Sequence, residues 1–301
     1  KLSIPTGIAQ FINMLYNIVD RIYIGHIPGE GSLALTGVGV CMPIIMIVSA
    51  FAALVSSGGA PRASICMGKQ EDEAAEQILG NCFTLQMIVS IVLTAILQIW
   101  GKDLLLAFGA SENTIRYATD YMHIYAFGTL FVQLTLGMNS FITAQGFTTI
   151  SMVSVVIGAL CNIILDPILI FGLLGAPAMG VTGAAVATVI GQCGAAILSA
   201  VFNVKFNHEV DLKIKGFRPS AKIIGPIYAI GIPSIIMQSI GSVMTYCMNR
   251  ILIGFSSTAT AVFGVYFKLQ SFFFMPLFGL NNGITPIIAY NYGAQKKHRM
   301  I

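Results

Sequence analysis

Apolar residues dominate eight stretches of this chain, at about 3–25, 34–60, 77–100, 119–143, 151–172, 180–203, 229–254 and 262–289, and polar residues collect between them. Each stretch holds about 20 residues or more, enough for a helix to cross the roughly 30 Å apolar layer of a bilayer. The pattern predicts an all-α integral membrane protein. Composition agrees: the chain is 56% hydrophobic and 9% charged, with a mean hydropathy of +0.82. A water-facing surface needs about 25% charged residues, so a soluble globular domain is excluded.

The formal charge of +4 does not mark a nucleic-acid partner, because the basic residues lie in loops beside the spans. Parity of the eight spans puts eleven Lys and Arg on one side (Lys1, Arg62, Lys69, those of the 204–228 connector, and the tail). Only Lys102 and Arg116 lie on the other, so the first side is expected to be cytoplasmic. The six cysteines are scattered through apolar segments without metal-ligand spacing, and neither a disulfide framework nor a metal cluster is expected. The chain opens on Lys1 and enters a span at once, so its native N-terminus is expected upstream.

The sequence also repeats itself. Ile4-Pro5 matches Ile232-Pro233, Gln10 matches Gln238, and DRIYIG (20–25) matches NRILIG (249–254). SGGAPRASICMGKQ (57–70) matches NGITPIIAYNYGAQ (282–295), sharing Gly58/Gly283, Pro61/Pro286, Gly68/Gly293 and Gln70/Gln295. The copies lie six helices apart, an even number, so both enter the membrane in the same sense, as in parallel-repeat transporters. The expected organisation is a six-helix lobe at 1–203, a connector at 204–228, and the first two helices of a second lobe at 229–301. About four further helices are expected to complete it.

Within the spans, the polar residues of the first helix are Gln10, Asn13, Asn17 and Asp20, on one helical face. The seventh repeats the stripe with Gln238, Ser242, Thr245 and Asn249. Such a stripe faces the bundle interior or a watery cavity; hydrogen bonding between helices explains the amides alone equally well. Asp20 is different, because packing does not need an ionisable group. On the fifth helix Asn162 and Asp166 stack at i, i+4, and Pro167 deprives the Ile163 carbonyl of its helical donor. A carboxylate, an amide oxygen and a free carbonyl within one turn suit a hard cation; the alternative is a protonated Asp166 ending a polar kink. Two such acids would cost about 5–7 kcal/mol if charged, so they pair or bind protons or cations.

Gly183/Ala187 and Gly191/Ala195 give the sixth helix a close-packing face. On that helix Thr188 offers a hydroxyl, to a site or to its own backbone. Lys268 either lines a cavity or snorkels outward. The FFFMP run (272–276) and the many methionines suit a pliable apolar pocket, with packing the commoner role. There is no Walker lysine motif, H-E-x-x-H or nucleophile elbow, so neither ATP hydrolysis nor enzyme chemistry is expected.

IPTGIAQFINMLYNIVDRIYIGH, the NxxxDP of the fifth helix, GAAVAT in the sixth and YNYGAQ after the eighth resemble the multidrug and toxic compound extrusion (MATE) transporters. The resemblance runs along the whole chain and covers about the first two-thirds of such a protein. It implies twelve helices in two six-helix lobes, and export of organic, often cationic, compounds in exchange for Na⁺ or H⁺. In the DinF-like branch the coupling residues fall by motif on Asp20, Tyr16, Asn162, Asp166 and Thr188, which would also be the Na⁺ ligands, Tyr16 excepted. Pro5 matches a proline associated with bending of the first helix. The NorM-like branch carries a glutamate in the seventh helix; GIPSIIMQSIGSVMTYCMNR has no acid there.

The expected protein is a monomeric, multi-pass antiporter of the bacterial inner membrane with no cofactor beyond its coupling ion. Gln10, Asn13, Asn17 and Gln238 would line the cavity, and Pro5 and Pro167 would bend their helices. A lipid-linked precursor flippase of the same superfamily would need a cavity with several basic residues. A membrane-embedded enzyme would need a catalytic cluster, and His26, His123, His208 and His298 are far apart in sequence.

Overall fold

A computed structural model describes residues 3–205 and 220–300. Lys1, the connector's Lys213, Lys215 and Arg218, and the side chains of Lys205, Lys268, Phe272, Met275 and Pro276 lie outside the described residues. Among those described there are ten α-helices and no strand. They are α1 (Ser3–Gly25), α2 (Gly31–Ala50), α3 (Ala53–Ser56), α4 (Ala60–Gly68), α5 (Asp72–Ala107), α6 (Ile115–Ala144), α7 (Thr148–Phe171), α8 (Val181–Lys205), α9 (Ala221–Ile253) and α10 (Ser257–Gly293). Among the described residues, five helical stretches are apolar and long enough to cross a membrane, α2–α4 counting as one. By composition alone α1 and α6 fall short, because both carry polar residues in mid-helix.

Several helices outrun the apolar stretches that predict them. At 36 residues α5 is about 54 Å long, well beyond the bilayer's apolar layer, because a helix can continue into the polar region where hydropathy gives no signal. The connector is likewise shorter than its 204–228 expectation: α8 runs to Lys205 and α9 begins at Ala221. Residues 221–228 are the first turns of α9, and Ile227 is fully buried against the cluster of Leu54, Leu79 and Cys82. The Ser220 N–H donates to Asn81 Oδ1 at 3.0 Å, tying the start of α9 to α5.

The second crossing is one path broken twice, at 51–52 and 57–59. At the first break the backbone tightens: the N–H groups of Phe51, Ala52, Leu54 and Val55 donate three residues back instead of four. The apolar core divides at the same level. One cluster gathers Val48, Leu93, Leu97, Tyr121, Tyr125 and Ile170. The other gathers Leu54, Leu79, Leu85, Met138, Phe141 and Ile227.

The two sequence repeats meet in space. A methyl group added at Gly68 would lie 2.1 Å from the Tyr290 carbonyl oxygen, and one added at Gly293 would lie 2.1 Å from that of Ile65. Ile65 and Tyr290 share the 225-residue offset of Gly68 and Gly293, so the contact is reciprocal about a local two-fold axis. Only glycine allows backbones this close. The helix ends match as well. Gln70 (φ 63°) and Gln295 (φ 56°) are both left-handed. The N–H of the following residue then reaches back five positions, Glu71 to the Cys66 carbonyl and Lys296 to that of Asn291, at 2.9 Å each. These are paired Schellman caps.

Candidate functional site

α1 and α7 pack side by side, and α8 covers α7. The α7–α8 approach is set by small residues. A Cβ on Gly191 would stand 2.7 Å from the Gly158 carbonyl oxygen and 3.3 Å from Asn162 Cβ, and one on Gly183 would meet the Leu169 carbonyl at 2.6 Å. The close-packing face expected on the sixth helix is therefore the face turned to α7. Because Gly191 lets α8 sit so close, Thr188 reaches Asn162.

The site sits where these three helices meet. Asp20 (4% exposed), Asn162 (2%), Asp166 (0%) and Thr188 (7%) are all buried. The Asn162 amide is satisfied at both ends when its nitrogen donates to Asp166 Oδ2 (3.2 Å) and its oxygen accepts from the N–H and the hydroxyl of Thr188 (3.2 Å each). The carboxyls of Asp20 and Asp166 lie within hydrogen-bonding reach of each other, a bond that requires a proton on one of them. Without that proton Asp20 Oδ1 is buried and unpartnered among the described residues. α7 continues helically through Pro167 to Phe171, and the proline has no N–H to offer the Ile163 carbonyl.

Tyrosines enclose the acids. The half-buried Tyr16 has its hydroxyl within reach of Asn17 and Gln192 and lies near both carboxyls. Tyr121 reaches Thr188, and its ring stacks on Tyr125, with centroids 6.3 Å apart and planes 13° from parallel. Arg21, next in the chain to Asp20, is the charged group that acts on Asp20 from its own helix. Beyond the acids, a cavity of about 430 Å³ lies among Ile27, Pro28, Glu30, Ile170, Phe171 and Met179. Ile170 is one helical turn past Asp166, and Glu30 is the charged residue in the cavity wall.

The sequence expectations sort unevenly. Tyr16, Asp20, Asn162, Asp166 and Thr188, spread over more than 170 residues, come together. Gln10, Asn13 and Asn17 are half-buried, and Asn17 turns back to the Asn13 carbonyl at 2.7 Å. Gln238 is exposed. Elsewhere on α9, Thr245 bonds its own helix at Gly241 (2.9 Å), while Ser242 Oγ and Asn249 Oδ1 are buried without a partner among the described residues. Pro5 lies in the first turn of α1, where its missing N–H removes no bond from the described helix. Sequence reasoning missed Tyr121, Tyr125 and Gln192. The i, i+4 tyrosines of YMHIY were a signal, but tyrosine in a span is commoner at the membrane surface.

Comparisons with known proteins identify the family. The MatE family model matches residues 5–168 and 233–301. The chain is 28% identical over 294 residues to the multidrug export protein MepA of Staphylococcus haemolyticus, and 26% identical over the same length to MepA of Staphylococcus aureus strain MSSA476. In each case the alignment takes in 98% of this chain and 64% of the relative, so the chain spans less than two thirds of these relatives' length. A MOP superfamily transporter from Pyrococcus furiosus, whose structure is described as having a binding pocket of reverse polarity, superimposes with a TM-score of 0.90 at 26% identity. The match covers 99% of this chain and 65% of that one. The outward-facing conformation of a multidrug resistance MATE family transporter gives a TM-score of 0.89 at 25% identity, with the same coverage. With its family model matched on both sides of the connector and its helices arranged as in these transporters, this chain is a membrane protein of the MatE family.

Proposed function

We propose that the full-length protein is a secondary active antiporter that exports organic, often cationic, compounds in exchange for Na⁺ or H⁺. The observation that carries this reading is the acid pair: Asp20 and Asp166 are almost fully buried side by side, and Asp20 Oδ1 has no hydrogen-bond partner among the described residues. A buried oxygen of this kind is satisfied by a proton or a hard cation. Asn162, Asp166 and Thr188 add oxygen donors of the type Na⁺ takes, with Tyr16 beside them. The names of the relatives support the cargo, a multidrug range, and the apolar, methionine-rich helices suit varied ligands.

The reading includes twelve helices in two lobes, of which this chain holds eight: a first lobe to about residue 203, then a connector, then the opening pair of the second lobe. The reciprocal contact of α4 with α10 supports two lobes related by an axis along the membrane normal. The basic loops are cytoplasmic in a bacterial inner membrane, the transporter works as a monomer without a cofactor, and Gln10, Asn13, Asn17 and Gln238 line the path of the compound. Binding of the ion or proton at Asp20 and Asp166 favours one facing state and the exported compound favours the other, so each lowers the affinity for its counterpart.

The test is efflux of a fluorescent organic cation from cells expressing the full-length protein, with pH and Na⁺ gradients imposed separately. Asp20→Asn is expected to abolish gradient-driven efflux at unchanged expression. Wild-type efflux in that variant would sink the assignment.

A further inference from the structure

Two glutamines lie buried among the helices of the core. Gln133 on α6 is 0% exposed and Gln86 on α5 is 1% exposed. Gln133 Nε2 donates to the Val48 carbonyl oxygen at 2.5 Å. Gln86 Nε2 donates to the Gln133 backbone carbonyl at 3.0 Å and, by a short bond, to Gln133 Oε1. Val48 is the residue at which the second crossing begins to tighten: its carbonyl keeps only a longer bond from Phe51 N–H, at 3.2 Å. The glutamine side chain thus takes up an acceptor that the break leaves under-used.

Position gives the pair its interest. Val132 belongs to the apolar cluster that also holds Tyr121, Tyr125 and Ile170, whereas Leu85 and Met138 belong to the cluster that holds Ile227 of α9. The glutamines form the polar seam between these halves, at the level of the α2 break. One half carries the acid pair; the other holds Ile227 of α9, a helix that also meets the first half where Tyr246 packs on Phe108. A second link reaches the break from the acid side. Tyr121 lies near Asp20 and stacks on Tyr125, and the Tyr125 hydroxyl is within reach of Ser49, the neighbour of Val48. α6 therefore meets adjacent residues of the break twice: Tyr125 lies beside Ser49 on the acid side, and Gln133 bonds Val48 at the seam.

We propose that Gln133, held in place by Gln86, is a positioning residue for ion coupling: it fixes the break at Val48 so that a change at Asp20 and Asp166 passes through α2–α4 to the crossing with α10. The proposal rests on the reading that these acids take the coupling ion. An amide suits the task because it donates to the freed carbonyl and accepts from a second helix at once. Were the pair only glue between helices, its loss would lower stability and leave the linkage between cation and compound intact.

The experiment measures equilibrium binding of ethidium, a fluorescent organic cation, to the purified full-length protein at low and high pH, each with and without Na⁺. Wild type is expected to show an affinity that changes with pH or Na⁺ by a factor within the usual range of about 5–150. In Gln133→Leu that factor falls below about two, a loss of linkage at the level of this range's lower edge. Gln133→Glu restores it, because a protonated carboxyl keeps one donor and one acceptor. Gln86→Leu/Gln133→Leu, which removes both partners and leaves no orphan between them, folds and stays unlinked. A wild-type factor in Gln133→Leu or in the double variant overturns the proposal, and the double variant decides if the single one does not fold. Asp20→Asn tests the underlying reading separately. If it keeps the wild-type factor, that reading fails; if it loses the factor while the glutamine variants keep it, only the role of Gln133 fails.

Discussion

Asp20 on α1 and Asn249 on α9 occupy matched positions in DRIYIG and NRILIG, and Gln70 and Gln295 occupy matched positions at the ends of α4 and α10. The second pair is alike in every respect that the backbone records: the same residue, the same left-handed φ, the same five-residue hydrogen bond. The first pair is unlike in chemistry and surroundings. Asp20 faces a second acid within reach, whereas Asn249 Oδ1 is buried and unpartnered among the described residues. Where the repeats touch each other, each constrains the other, and a change on one side breaks a contact on both. Asp20 makes its contacts with α7, inside one repeat, and is free of that constraint.

The largest expected effect comes from trying to move the acid across the repeat. Asp20→Asn/Asn249→Asp keeps the number of carboxyls, yet efflux of a fluorescent cation by the full-length protein is expected to stay as low as in Asp20→Asn. The transplanted acid would stand on α9, whereas Asp166, Asn162 and Thr188 stay with α1 on α7 and α8. Recovery of efflux would make the two positions interchangeable.

A smaller loss is expected from Gly191→Ala. The added methyl would press on the Gly158 carbonyl and on Asn162, moving α8 off α7 and Thr188 away from its partner. A drop of about tenfold in initial efflux rate is the expected outcome, since displacements of about 1 Å at a site cost up to about a hundredfold. The crossing gives a more modest and symmetrical result. Gly68→Ala and Gly293→Ala each force a backbone apart and should each cost about 1–3 kcal/mol. Because both act on one contact, the double variant should cost less than the sum, read from melting temperatures in detergent. Unequal single losses would count against the two-fold relation.

The smallest effect tests the caps. A left-handed L-residue carries about 1–2 kcal/mol of strain that glycine lacks, part of it offset by the freer unfolded chain. Gln295→Gly and Gln70→Gly should therefore raise stability by similar amounts, about 0.5–1 kcal/mol each. A difference between them would show that the caps, though alike in φ, are loaded differently.

These contrasts also show what the sequence could and could not reveal. Asp20 and Asp166 stood out because an acid in an apolar run is expensive, and MGKQ and YGAQ because identical spacing survives in otherwise divergent helices. Period and hydropathy located the long described helices, yet misjudged their ends: α5 continues into polar sequence where the signal stops, and α9 begins in AKIIGPIY, where Lys222, Gly225 and Pro226 interrupt the apolar run. The break at 51–52 left no mark: Phe51 and Ala52 are ordinary helix residues, and Gln133, whose side chain bonds the Val48 carbonyl at the break, is more than 80 positions away. Gln86 and Gln133 were visible as amides within spans, but nothing local said that they would find each other. Spacing within one helix can be read from the chain, whereas pairing between helices depends on which glycines let the backbones close.

The Gly68–Gly293 crossing has one more consequence. A surface that meets its own likeness across a two-fold axis is an isologous interface, the kind that joins the halves of a homodimer. A single repeat would present Ile65 to Gly68 of a second copy and receive the same contact in return. Fusing the copies into one chain makes their meeting intramolecular, at high effective concentration. It also removes the rule that identical subunits must change together, which is how one half can hold an aspartate where the other holds an asparagine.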